Sequence, residues 1–582
     1  MPISICSLRY LYHYLYAGAI LLALPASVQC TVVHLDQYSD ITVQGTLDTN
    51  VSVESFLNIR FGACTTGSNR FAPPKAYTYP PGSVIDATQP GAACPQQMVP
   101  ISSFPIFDNV TNISEDCLTL RVDRHARTTS TAKLPVMVYI YGGGDAIGQI
   151  YDSAYDPKML VSGAASNGLP IVYVAMNYRV GLFGFASSPA LSAADSLNVG
   201  LLDQRLALYW VQQHIEAFGG DPDNVTIFGE SDGATAVGLQ ITAYGGKVPA
   251  PFKRAVMQSG GATADTGTAS NITTIHTAAV IDSVNCTSSS SSDELACLRA
   301  LPLQTILNAE VDYELSINPF GGLDVFIPVS PSSFIPESPS DLLYSGQFAH
   351  DIDIITGWNE NDGSLFVPTN LTSNADVSDF LAYTFPGLSD QNIEDALVLY
   401  PESSFPSDTA ENVTAQYFRA SQIIRDSEYV CPSLITVQAN LNYSQASTRS
   451  YIYSLNQTVF ALIFAKLNAS YYGVSHLSDI PFVFNQATTK YAAESSPVDI
   501  MLSGQISTSW ASFATSGDTS QGLTTLQGWS AAQPSRMTYN MLVLGGPNGG
   551  LKSIGNRGSY HEALVTRCDF WNSRDVLAQI AV

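Results

Sequence analysis

Asn224-Val225-Thr226-Ile227-Phe228-Gly229-Glu230-Ser231-Asp232-Gly233-Ala234-Thr235-Ala236-Val237-Gly238-Leu239-Gln240 is the stretch that decides the fold. Val225 to Phe228 are β-branched or aromatic and read as a short buried strand. Ala234 to Gln240 suit a helix. Between them, Gly229-Glu230-Ser231-Asp232-Gly233 matches G-x-S-x-G. A strand, a sharp turn and a helix around that motif lift a serine hydroxyl out of the sheet, and the turn is so tight that its flanks must be small. Ser231 is therefore the candidate nucleophile. The plainer alternative is a glycine-rich turn holding an ordinary serine, and the flanking strand and helix weigh against it.

The sequence around this stretch repeats the same alternation. Residues 136–141 read as a buried strand ending on Gly142-Gly143-Gly144, and 171–176, 254–259, 352–357, 451–455 and 537–544 read as further strands. Residues 201–218 show helical periodicity until Gly219-Gly220-Asp221-Pro222 breaks it. Residues 377–400 and 410–440 are expected to be largely helical, with a closing helix over 560–580. Such alternation predicts an α/β fold with a central, mostly parallel sheet covered by helices on both faces. Residues 32–61 alternate and are rich in Val, Thr and Ile, which predicts a small antiparallel sheet at the N-terminus. Residues 62–116 are expected to be mostly loop, and Ser288 to Ser292 an exposed loop tip. With no internal repeat and no linker, residues 31–582 read as one catalytic domain.

The 582 residues carry 25 Lys+Arg against 50 Asp+Glu, a net charge of −25, which argues against nucleic acid and anionic membrane surfaces as partners. With 45% hydrophobic and only 13% charged residues, the chain is globular and not disordered. Residues 1–30 read as a secretory signal peptide. Arg9 supplies the positive charge, residues 15–24 the apolar run, and Pro25-Ala26-Ser27-Val28-Gln29-Cys30 the small residues for cleavage. An uncleaved anchor is the alternative, but the run falls short of the about 20 residues of a membrane span. Asn-x-Ser/Thr sequons at Asn50, Asn109, Asn112, Asn271, Asn285, Asn370, Asn412, Asn442, Asn456 and Asn468 suit a glycosylated extracellular protein. Asn224 also fits the pattern, but it borders the nucleophile strand. Cys64, Cys94, Cys117, Cys286, Cys297, Cys431 and Cys568 show no C-x-x-C spacing and read as disulfide cysteines, at least one being left over.

A serine hydroxyl needs a base to take its proton and an acid to orient that base. The chain order for this kind of turn is Ser, then acid, then His. That leaves His276, His350, His476 and His561 as possible bases. His476 stands out, in the loop Gly473-Val474-Ser475-His476-Leu477-Ser478-Asp479. Asp362 follows the strand at 352–357 and is a candidate acid, with Glu360 as its rival.

Six further motifs carry a family resemblance. They are Ser114-Glu115-Asp116-Cys117-Leu118, Tyr141-Gly142-Gly143-Gly144, Asn177-Tyr178-Arg179-Val180-Gly181, Leu202-Asp203-Gln204, Phe218-Gly219-Gly220-Asp221-Pro222 and Phe228-Gly229-Glu230-Ser231. With them the chain resembles the type-B carboxylesterase/lipase family, the cholinesterase-like α/β-hydrolases, in its fungal secreted form. The resemblance implies an α/β-hydrolase fold and carboxylic-ester hydrolysis without metal or cofactor. It places the acid on Asp362, ahead of Gly363, Ser364 and Phe366, where the family usually has Glu, and the base on His476. It implies an oxyanion hole made by the N–H groups of Gly143, Gly144 and Asp232. It implies disulfides Cys94–Cys117, Cys286–Cys297 and Cys431–Cys568, a free Cys64, and buried ion pairs Arg70–Glu115 and Arg179–Asp203. The expected partner is a small-molecule ester, with no stable membrane insertion and no stated oligomeric state.

Some positions depart from the family. Position 232 is usually Ala and here is Asp, position 145 is often aromatic and here is Asp, and Glu230 adds a third acid. Either the site favours polar or cationic substrates or one of these acids is held protonated. The alternative is that both aspartates turn away into hydrogen bonds. The stretch between Cys94 and Cys117 lacks tryptophan, and Leu365 stands where an aromatic would be, so a cation–π site for choline is not evident. Met98, Val99, Ile101, Phe104, Ile106 and Phe107 in that stretch form either a lipase lid or a static wall. Four readings follow: a secreted serine carboxylesterase, a lipase or sterol esterase, an esterase tailoring one secreted metabolite, and a catalytically silent binding protein on the same fold.

Overall fold

Apolar runs buried on both faces put β-strands at the centre of the molecule. The computed structural model describes residues 29–36, 39–98, 106–264, 267–319, 321–532, 539–554 and 562–581. Most of the expected signal peptide, with Val99, Ile101, Phe104, Tyr560 and His561, lies outside the described residues.

The strands are β1 Gln29–Asp36, β2 Ile41–Asp48, β3 Val53–Arg60, β4 Val84–Asp86, β5 Thr119–His125, β6 Leu134–Ile140, β7 Val172–Met176, β8 Gly220–Glu230, β9 Arg254–Gln258, β10 Asp353–Asn359, β11 Ser450–Leu455, β12 Tyr539–Leu544 and β13 Gly550–Ile554. They join in the order β1-β2-β3-β5-β7-β6-β8-β9-β10-β11-β12-β13, with β4 beside β2. Pairing is parallel from β7 across to β12 and antiparallel at the flanks. β7, β9 and β11 are buried at every residue, as expected of parallel strands covered on both faces. The N-terminal strands form as read, and β2 shows the alternating burial of a half-covered strand. They are not a separate sheet, because β3 pairs with β5 and continues the main one.

The expected helices form with local corrections. The closing helix is two helices, Glu562–Trp571 and Arg574–Ile580, with Ser573 capping the second. The serine run is not all loop, since a helix begins at Ser291. The stretch 410–440 holds the helix Ala415–Ile424, a π-helical turn Arg425–Val430 and the helix Cys431–Tyr443. Pro432 has no N–H to give the carbonyl four residues earlier, and the ladder widens just before it. Disulfides join Cys94 to Cys117, Cys286 to Cys297 and Cys431 to Cys568, and Cys64 is free. Arg70 with Glu115 and Arg179 with Asp203 form buried bidentate pairs at 2.6–2.8 Å. The Asn224 side chain is taken up by Arg254 and the Thr515 carbonyl. Among the described residues no helix is long and apolar enough to cross a membrane.

Candidate active site

β8 runs without pause into the helix Asp232–Thr242, and Ser231 is the corner between them, at φ 61 and ψ −133. That backbone conformation is strained for a side-chain-bearing residue. A Cβ on Gly233 would come within 2.2 Å of the Ile140 carbonyl, so the turn can close against β6 only with glycine there. The corner stands at the carboxyl end of a central parallel strand, where ligands of open α/β sheets bind.

The candidate acid and base come from segments after strands further along the sheet. Asp362 opens a short 3-10 turn shortly after β10, and His476 lies beyond β11, after the short helix Ala461–Lys466 and the 3-10 turn Ser470–Tyr472. The two loops are stitched together by a bridge between Asn361 and Ser475. His476 Nε2 lies 2.8 Å from Ser231 Oγ, and His476 Nδ1 lies 2.9 Å from Asp362 Oδ1. The other carboxylate oxygen of Asp362 accepts from Ser259 Oγ at 2.8 Å and from the Asn359 N–H at 2.7 Å. These two contacts fix the carboxylate that meets the imidazole. Glu360, the rival acid, turns the other way, 3.6 Å from Arg425. Of the other histidines, His276 bonds Tyr313 and His350 bonds the Gly346 carbonyl.

Two aromatic rings hold the imidazole in place. Phe366 meets it edge-on at 5.2 Å between centroids, and Tyr429 lies tilted at 5.0 Å. Tyr429 and its neighbour Glu428 come from the π-helical turn. Sequence reasoning missed both, and the helix-breaking Pro432 was the available signal. Phe366 sits one place beyond Leu365, so the acid segment does bring an aromatic ring to the site, but onto the base.

The glycine loop after β6 lies beside the corner. Gly143 and Gly144 have φ 122 and φ 61. Both donate to Asp232 Oδ2, at 3.3 Å from Gly143 and closer from Gly144. The same oxygen lies 3.3 Å from Ser231 Oγ. Asp232 therefore does not point away from the site. Asp145 is buried, and its backbone carbonyl accepts from the Gly181 N–H.

The acids around the imidazole are unequal. Burial pushes the Glu230 carboxyl well above the usual carboxylate range, against the pull of His476. Burial pushes Glu428 up to about 8, and the charge of Asp232 adds to it. Burial alone would lower His476, but Glu230 and Asp362 outweigh it and push the imidazole up to about 9. Of the three extra acids, Glu230 is the one whose carboxyl burial raises. Around the stretch proposed as lid or wall, Ile106 is buried and Met98 is exposed. Among the described residues no group of three or more His, Cys, Asp or Glu could hold a metal ion.

Comparison with known proteins shows the family and the fold. The sequence profile of the carboxylesterase family matches residues 32–552. The chain is 40% identical over 488 residues to the inactive carboxylesterase-like protein VdtD of Byssochlamys spectabilis, covering 82% of each. It is 38% identical over 560 residues to a secreted lipase of Arthroderma benhamiae, covering 94% of this chain and 95% of that one. Its fold matches the crystal structure of Aspergillus niger EstA with a TM-score of 0.75 at 25% identity, over 95% of this chain and 99% of that one.

Proposed function

This chain belongs to the carboxylesterase family and is a carboxylic-ester hydrolase, and from that premise we propose that it works outside the cell through a Ser231-His476-Asp362 triad and an acyl-enzyme. The observation that carries this is the single imidazole held between Ser231 at 2.8 Å and Asp362 at 2.9 Å. His476 Nε2 takes the serine proton as Oγ attacks the ester carbonyl. Asp362 holds the resulting imidazolium in place. The N–H groups of Gly143, Gly144 and Asp232 receive the oxyanion, each worth roughly 3 kcal/mol of barrier. His476 returns the proton to the leaving alcohol, and water then enters by the same route in reverse. Three disulfides and the leader-like N-terminus support the extracellular setting.

Hydrolysis of p-nitrophenyl esters from acetate to palmitate, with Ser231→Ala in parallel, tests the reading. Turnover lost in the variant supports it, and an optimum at long chains points to a lipase. A folded wild-type protein with no serine-dependent turnover of any ester would sink it. A second reading, a catalytically silent binding protein, is favoured by one observation: the carboxylate of Asp232 sits on the donors that the oxyanion needs.

A further inference from the structure

We infer that Asp232 is an intramolecular occupant of the oxyanion hole, and that it keeps this hydrolase latent until its carboxylate swings out. The inference rests on the proposed role of Ser231 and concerns how that site is regulated.

The geometry is that of a bound product oxygen. One carboxylate oxygen, Asp232 Oδ2, takes the N–H of Gly143 and the N–H of Gly144 and lies 3.3 Å from Ser231 Oγ. A substrate carbonyl must bring its own oxygen to that point before Oγ can attack. An ester oxygen is neutral, whereas the carboxylate is charged, and charge-assisted hydrogen bonds are roughly twice as strong as neutral ones. The carboxylate is also tethered to the residue after the nucleophile, so it is always at hand. It opens the helix Asp232–Thr242, where the helix dipole favours a negative charge.

The glycine loop is packed closely against residues 323 and 324. A Cβ on Gly144 would come within 2.4 Å of Leu323 Cβ, and the Asp324 N–H donates to the Gly144 carbonyl at 2.9 Å. The donors are wedged from behind and aim at one point. The imidazole beside them is held toward its protonated form. A negative charge in the hole and a positive charge on the base is the charge pattern of the tetrahedral intermediate. The resting site satisfies itself with its own side chain.

An aspartate at the start of a helix does not need this geometry. It could cap its own first turn and leave the glycine N–H groups to the cleft. Here it reaches across to another loop, at the point where the chemistry occurs.

The test is the rate at which a fluorophosphonate labels Ser231, read by intact mass. Oγ forms a bond to phosphorus, the P–F bond breaks, fluoride leaves and His476 takes the serine proton. The phosphoryl oxygen must occupy the Gly143 and Gly144 donors, so no natural substrate is needed. Asp232→Ala is expected to label about 10²-fold faster than wild type and to raise kcat/KM for p-nitrophenyl acetate in proportion. Asp232→Asn keeps the volume and loses the charge, and is expected to fall between the two. Ser231→Ala is the blank. An Asp232→Ala rate equal to or below wild type overturns the inference while leaving the nucleophile in place. If Asp232→Ala does not fold, an Asp232→Asn rate no higher than wild type overturns it instead. If the folded wild type and both variants take up no label, the reading of Ser231 as nucleophile fails, and the inference with it.

Discussion

Glu230 Oε1 lies 3.3 Å from His476 Nε2, the same nitrogen that faces the Ser231 hydroxyl. The proposed base and nucleophile therefore share their environment with a buried acid that comes from the same motif as Ser231. Glu230 and His476 titrate as a pair. With the imidazole pushed up to about 9, only a small part of it is neutral at pH 7. Since proton abstraction needs the neutral form, kcat/KM should climb with pH and level off near 9. Glu230→Gln removes one of the two charges that raise the imidazole, so its profile should level off at lower pH. Superimposable pH profiles for the two proteins would show that Glu230 does not tune the base.

A second pair of acids lies against Gly181. Glu310 accepts from the Leu182 N–H at 2.6 Å, and Glu314 lies beside it, both buried. Burial pushes Glu314 up to about 8 from an ordinary 4.5. A carboxyl whose folded value is raised contributes its full stability below the unfolded value and loses it as pH rises through the folded one. Stability should therefore fall between about pH 4.5 and 8, by at most about 1.4 kcal/mol per pH unit from this group. Glu314→Gln should flatten that slope. Denaturation midpoints at pH 5, 6.5 and 8 decide it, and an unchanged slope in the variant counts against the assignment.

The Cys431–Cys568 bond spans 137 residues. It ties the helix after the π-helical turn to the first of the two closing helices. Cross-linking a loop of that length restricts the unfolded chain by about 5 kcal/mol. Replacing both cysteines by serine should lower urea stability by a comparable amount, and the 11-residue Cys286–Cys297 loop should matter less. Equal losses for the two double variants would contradict the loop-length account.

The corner at Ser231 was legible because strand, turn and helix are local, and their periodicity and glycines are written in consecutive residues. His476 was legible through chain order, since its three competitors lacked a comparable loop. The choice between Asp362 and Glu360 was not settled by spacing, because it depends on Arg425 drawing one of them aside, and Arg425 arrives from a distant helix. Glu428 and Tyr429 were illegible for a similar reason: a one-residue widening of a helix rotates them toward the site. The continuity of the N-terminal strands with the main sheet rests on β3 meeting β5, a pairing between strands far apart in sequence. Asp232 was visible as an anomaly, but its direction was not, since one rotation about its side chain decides between solvent and the glycine donors.

The glycine donors and Ser231 stand just past the ends of adjacent strands, β6 and β8, while the proposed acid and base ride on two segments stitched to each other beyond β10 and β11. Position 232 belongs only to the first group. A single-nucleotide change in a codon converts aspartate into alanine. A lineage built on this arrangement can therefore mothball its chemistry and recover it in one step, with the proton relay kept intact throughout by its own stitching.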